Sequence, residues 1–205
     1  AYLGKHDELN ELLLSGGDPL TLTEDRVEGI LHEIRKVRPE LVFRLATRMP
    51  VVLPSRITPA LAEMLHRFLP MFLVSQFNHP RELTGESGRA VRLLLDAGVT
   101  VLNQAVLLRG INDDPDILEE LFRRLVGIQV FPYYLLQGDL ASGTSHFRVP
   151  LPRGIEIVAE LRGRVSGIAM PVYAVDLPGG GGKIPLTESY CLESGLLESG
   201  RPAKN

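Results

Sequence analysis

A lysine that closes a run of four glycines stands out for its chemistry: Asp176 to Pro185 reads DLPGGGGKIP. Glycines without side chains let a backbone cradle a phosphate, and the same freedom lets a loop present its lysine as a nucleophile or serve as a lid. A nucleotide-hydrolysing loop requires G-x-x-x-x-G-K followed by Ser or Thr. Here Ile184 follows Gly182-Lys183, and Leu177 stands where the first glycine belongs. No hydroxyl is placed for magnesium. The dinucleotide fingerprint G-x-G-x-x-G opening a helix is also absent. A lysine offered after a strand instead suits a Schiff base with an aldehyde such as pyridoxal phosphate.

The other candidates sit at the ends of apolar runs. Ser15 to Pro19 reads SGGDP, Thr47 to Pro50 TRMP, and Asn78 to Glu82 NHPRE. Asn103 and Gln104 lie within a fourth run, which passes into RGIND from Arg109, and Asp139 and Asp176 close the last two. Polar residues gathered at the ends of six such runs point to one small-molecule site, provided the fold brings those ends together.

The runs that must do this start at Glu11, Leu41, Met71, Thr100, Gln129 and Met170, and the first five starts are 29 or 30 residues apart. That interval is the size of one βα unit. The runs are mostly continuously apolar, as in parallel strands covered on both faces. Between them the period turns helical. After Thr23 come Val27, Ile30, Leu31, Ile34 and Val37. Thr58-Pro59 and Asp114-Pro115 each place a capping residue before a proline at the first helical position. Val91, Leu94 and Leu95 mark a helix stopped at Gly98, and Ile155, Val158 and Leu161 mark the last. The alternation predicts an α/β fold with a parallel sheet.

Composition narrows the partners. A net charge of −3, no Trp and 6% aromatic residues give neither an electrostatic nor a stacking footprint for nucleic acid. No apolar run reaches the about 18 residues that span a bilayer, so no membrane is expected and the cytoplasm is the expected compartment. The single cysteine, Cys191, excludes a disulfide framework or a cysteine-rich metal site within this chain.

Taken together, LLLSGGDPL, TRMPVVLPSRIT, FNHPRELT, NQAVLLRGIND, PYYLLQGDLASGTSHFR, GIEIVAELRG and VDLPGGGGKIP closely resemble the lysine 2,3-aminomutase family of radical S-adenosylmethionine enzymes, in the family's order from about Leu12 to Leu186. The resemblance implies a partial (β/α) barrel of the radical S-adenosylmethionine type, with about six parallel strands, whose first βα unit would precede this chain. It implies a [4Fe-4S] cluster, S-adenosylmethionine and pyridoxal phosphate, and the conversion of L-lysine to β-lysine by a radical 1,2-amino shift. On the residues, it makes Lys183 the pyridoxal lysine and Ser15, Gly16, Gly17 and Asp18 the segment meeting S-adenosylmethionine, with His79 and Gln104 nearby. It makes Asp139 and Asp176 a pair of carboxylates gripping the substrate's side-chain ammonium, where two anions around one cation give a distance-selective anchor.

The chain departs from that pattern in places. The family's cluster ligands are three cysteines spaced C-x3-C-x2-C before the SGGD strand, and Cys191 cannot replace them. Leu136 and Gly138 are not the residues expected before Asp139. Residues 1–186 are read as the barrel core and 187–205 as a tail that loses the pattern. The expectation is therefore a piece of a longer enzyme that would not turn over alone. An aminomutase for another amino acid, or a cluster-free binding homologue, are the alternatives. Lysine is the expected small-molecule partner, and self-association into a homo-oligomer is compatible with the pattern.

Overall fold

Six short strands lie side by side in chain order and all run the same way: β1 (Glu11–Leu14), β2 (Val42–Ala46), β3 (Met71–Ser75), β4 (Thr100–Leu107), β5 (Phe131–Gln137) and β6 (Val172–Leu177). The computed structural model describes residues 2–177 and 181–186; Gly179 and Gly180 of the glycine run, Cys191 and the tail lie outside them. Strands that are parallel and sequential need a crossover each time, and helices supply it. These are α1 (Glu24–Val37), a short α2 (Met49–Val52) with α3 (Pro59–His66), α4 (Gly85–Asp96), α5 (Pro115–Gly127) and α6 (Leu151–Arg162). The result is the partial barrel expected from the sequence.

A seventh strand departs from that expectation. Gly182–Pro185 forms β7, antiparallel to β6, so Lys183 is held in a sheet rather than carried on a free arm. The glycine run reads locally as loop. Its last glycine, with φ of 77°, instead opens β7 opposite Leu177, and Lys183 and Ile184 pair with Asp176 and Val175.

The strands also differ from a sheet covered on both faces. Burial alternates along β2 and β4. Phe43, Leu45, Val101, Asn103, Ala105 and Leu107 are buried under the helices. Arg44, Ala46 and Gln104 alternate with them on the concave face, half-buried. Arg44 and Gln104 sit inside mostly apolar runs, and they mark the open side. The helix side carries the core: Phe43, Phe68, Phe77 and Phe122 are each at most 2% exposed. Each such burial contributes about 2–3 kcal/mol.

The two predicted caps form as expected. Thr58 Oγ1 accepts from Leu61 N at 3.0 Å, and an Asp114 carboxylate oxygen accepts from Asp116 N at 2.8 Å. Thr23 precedes α1 without a side-chain cap bond. Among the described residues no helix is long and apolar enough to cross a membrane.

Candidate active site

The loop after β1 is tied to the loop after β2 by one carboxylate. Asp18 accepts from Leu20 N at 3.0 Å and Thr47 Oγ1 at 2.7 Å on one oxygen, and from Arg48 N at 2.7 Å on the other. Before it, Gly16 and Gly17 have φ of 92° and 60°, a conformation that side chains rarely adopt. A Cβ at either would meet open space, so the backbone here is bare and approachable. Ser15, Gly16 and Gly17 are exposed.

Gly17 and Asp18 form part of the wall of a cavity of about 780 Å³ on the concave face of the sheet. Gln104 of β4 and Lys183 of β7 line the same space, as do Arg48 of the TRMP segment and Arg44 and Gln76, whose part the sequence did not reveal. Tyr133 and Tyr134 line it together, which neighbouring strand residues ordinarily cannot do. The cause is a bulge in β5: Asn103 pairs with Pro132 but Gln104 with Tyr134, leaving Tyr133 as the extra residue. The two rings lie 4.1 Å apart, centroid to centroid. A side-chain hydrogen bond between the phenols, and then burial, hold Tyr134 above its ordinary pKa.

Lys183 reaches this cavity from the opposite edge of β6. Its Nζ donates to both Asp176 carboxylate oxygens, at 2.8 and 2.7 Å, across the β6–β7 pair. The same nitrogen lies 5.9 Å from the centre of the Tyr134 ring. An amine, an acid and an aromatic face therefore converge at one end of the cavity.

The loop after β3 is held from behind. Asn103 side-chain oxygen accepts from Phe77 N at 2.7 Å, and its amide donates to Phe77 O at 3.1 Å. Asn112 donates to Asn78 O and Val106 O, both at 2.8 Å. Glu82 receives Asn78 N and His79 N on one oxygen and Arg48 on the other. His79 caps the next turn, its Nδ1 accepting from Arg81 N at 3.1 Å, and does not line the large cavity. Asp139 is exposed and lines a separate cavity of about 220 Å³ that shares no residue with the first. The structure thus brings Gly17, Asp18, Gln104 and Lys183 to one cavity, with Asp176 on Lys183. It does not bring Asp139 or His79 there.

The residues fit two of the three expected groups. An amine beside planar rings, in a space of this size, suits a pyridoxal ring. Bare backbone at Gly16 and Gly17 suits a ligand carboxylate. The chain does not fit an iron–sulfur cluster: it has one cysteine, and among the described residues no three His, Cys, Asp or Glu come together as metal ligands.

A family model for lysine-2,3-aminomutase matches residues 158–196. The chain is 47% identical over 191 residues to L-lysine 2,3-aminomutase of Clostridium subterminale, covering 93% of this chain and 46% of that one. It is 42% identical over 194 residues to glutamate 2,3-aminomutase of Clostridioides difficile (strain 630), covering 95% and 45%. It therefore spans about half the length of these curated relatives. Among solved structures, native anSMEcpe with bound AdoMet superposes with a TM-score of 0.60 at 11% identity, covering 79% of this chain and 48% of that one. A radical SAM methyltransferase from Sphaerobacter thermophilus gives 0.54 at 18% identity, covering 82% and 51%. At such identities the likeness is one of fold: the radical SAM partial barrel.

Proposed function

The chain belongs to the lysine 2,3-aminomutase family, and from that premise we propose that it is the barrel of an amino-acid 2,3-aminomutase, acting on L-lysine to give β-lysine. The carrying observation is that Lys183, bonded to Asp176, and the Tyr134 ring line one large cavity. Bound pyridoxal phosphate would supply an aldehyde that holds an amine covalently and a conjugated ring that spreads an unpaired electron. Lys183 is the residue to hold it. Ser15, Gly16 and Gly17 offer exposed backbone to the carboxylate of S-adenosylmethionine, and of these Gly17 lines the cavity together with Gln104. Asp18 keeps that segment against the β2 loop.

The chain's own work is positioning and exclusion of water. Leu13, Ala46 and Val74 line the cavity beside polar and charged side chains such as Arg44, Arg48, Gln76 and Gln104, so a charge brought into it meets fixed groups rather than bulk water. Asp176 offers a carboxylate to the cationic end of lysine. A glutamate substrate carries a carboxylate there and would be repelled, which favours lysine over the activity named for the Clostridioides difficile relative. The cluster ligands are not supplied by this chain, so no step is assigned to them.

Borohydride reduction in the presence of pyridoxal phosphate tests the cofactor. The expected result is a stable adduct on Lys183 that is lost in Lys183→Ala; no adduct at Lys183 overturns the assignment. For the substrate, Asp176→Asn in the loaded full-length enzyme is expected to raise the KM for lysine about tenfold or more. An unchanged KM removes lysine. Asp139→Asn in the same assay decides whether the second acid, placed here on the smaller cavity, reaches the substrate.

A further inference from the structure

Asp176 is already occupied by an ammonium that belongs to the chain. Both its oxygens accept from Lys183 Nζ, and the aromatic face of Tyr134 lies beyond that nitrogen. A lysine side chain ends in the same group on the same four-carbon stem that a lysine substrate would present. We propose that Lys183 fills the substrate-ammonium anchor of the cofactor-free protein, so that cofactor binding vacates Asp176 and must come before substrate. This rests on the pyridoxal and lysine assignments above and adds an order to them.

The geometry makes the two uses of Asp176 exclusive. Asp176 and Lys183 are direct partners in the β6–β7 register, so in the cofactor-free protein the backbone holds their side chains within reach of each other. One carboxylate neutralises one ammonium; a second beside it meets a like charge. On bonding to the aldehyde carbon of the cofactor, Nζ would give up three protons, two leaving with the carbonyl oxygen as water and one to solvent, so that no ammonium would remain on Asp176. The pair is accessible enough for exchange, with the Lys183 and Asp176 side chains 31% and 40% exposed. An incoming diamine or amino acid can therefore reach Asp176 once Lys183 has left it.

The test is titration of pentane-1,5-diamine into the full-length protein freed of pyridoxal phosphate, followed by calorimetry. Lys183→Met and Lys183→Gln empty the anchor without adding charge, and are expected to bind the diamine about fivefold more tightly than the unaltered protein. Lys183→Arg keeps a cation on Asp176 and is expected to stay blocked. Adding Asp176→Asn to Lys183→Met should remove the gain. The proposal is overturned if both neutral variants bind no more tightly than the parent, or if the gain survives Asp176→Asn. Loss of the lysine assignment reads differently, because it appears as an unchanged KM for Asp176→Asn in the loaded enzyme.

Discussion

Asp18, at the end of the loop after β1, accepts a hydrogen bond from the Thr47 hydroxyl at the end of β2, at 2.7 Å. Two backbone N–H groups, of Leu20 and Arg48, complete its set. The bare Gly16–Gly17 segment is thus fixed from one side by an acid whose three hydrogen bonds go to the protein itself. Asp18→Ala leaves three donors without their acceptor and is expected to cost about 2–3 kcal/mol. Asp18→Asn keeps one acceptor and turns an amide toward an N–H, so its loss should be smaller. Urea midpoints measure both, and an Ala variant as stable as the parent would contradict this role.

Asn103 holds the loop after β3 in the same manner, from inside the barrel wall. It is fully buried and satisfies both polar groups of Phe77. Asn103→Leu keeps the branched shape but adds volume and strands a buried N–H and C=O, which together are expected to cost about 2–5 kcal/mol. Asn103→Asp loses the donor to Phe77 O and buries a charge, so it should be no better. Hydrogen exchange at the Phe77 amide reports the lost bond directly: in Asn103→Leu it should speed up, and unchanged protection counts against the account.

Much of this was legible in the chain. Regular spacing of apolar runs carried the parallel α/β sheet, because each βα unit repeats the same length of strand and helix, and the family resemblance added the partial barrel. Thr58 and Asp114 announced their helices through side chains that bond locally. Features made by pairing between distant segments were not legible. Tyr133 and Tyr134 read as alternating strand residues until the register against β4 slips between Asn103 and Gln104. Lys183 read as loop because four glycines mask a strand whose partner is β6. Arg44 hid among apolar neighbours, since one polar residue in five does not disclose which face is open. The composition of Asp139 and its neighbours gave no sign that its cavity is separate from that of Lys183.

The bulge has a testable consequence for the cavity. It places the Tyr134 ring under Lys183 Nζ, and a planar ring there can stack on a pyridoxal ring or face a cation. Tyr134→Ala is expected to weaken pyridoxal phosphate binding about fivefold, while Tyr134→Phe, which keeps the face, should stay near the parent. Absorbance titration of the full-length protein distinguishes them. Equal affinities in all three would detach the ring from the site.

Tyr173 on β6 ties the barrel's stability to alkaline pH. It is 2% exposed, its hydroxyl donates to the Gln137 side chain, and Gln137 in turn donates to Val149 O at 2.8 Å. Helix α6 comes so close that a Cβ on Gly154 would sit 2.7 Å from the Tyr173 ring carbon Cζ. Burial pushes the phenol up to about 12 from an ordinary 10.0. Below pH about 10 both folded and unfolded chains keep the proton and the full contribution is present. Above it the unfolded chain ionises first, so stability falls until the folded phenol also ionises near pH 12. The whole component is worth about 2–3 kcal/mol. Tyr173→Phe is expected to lose about 1 kcal/mol at neutral pH through the missing hydrogen bond, yet to lose less than the parent between about pH 9 and 11. Denaturant midpoints across that range check the sign: parallel pH profiles for the two proteins would mean that another group carries the alkaline transition.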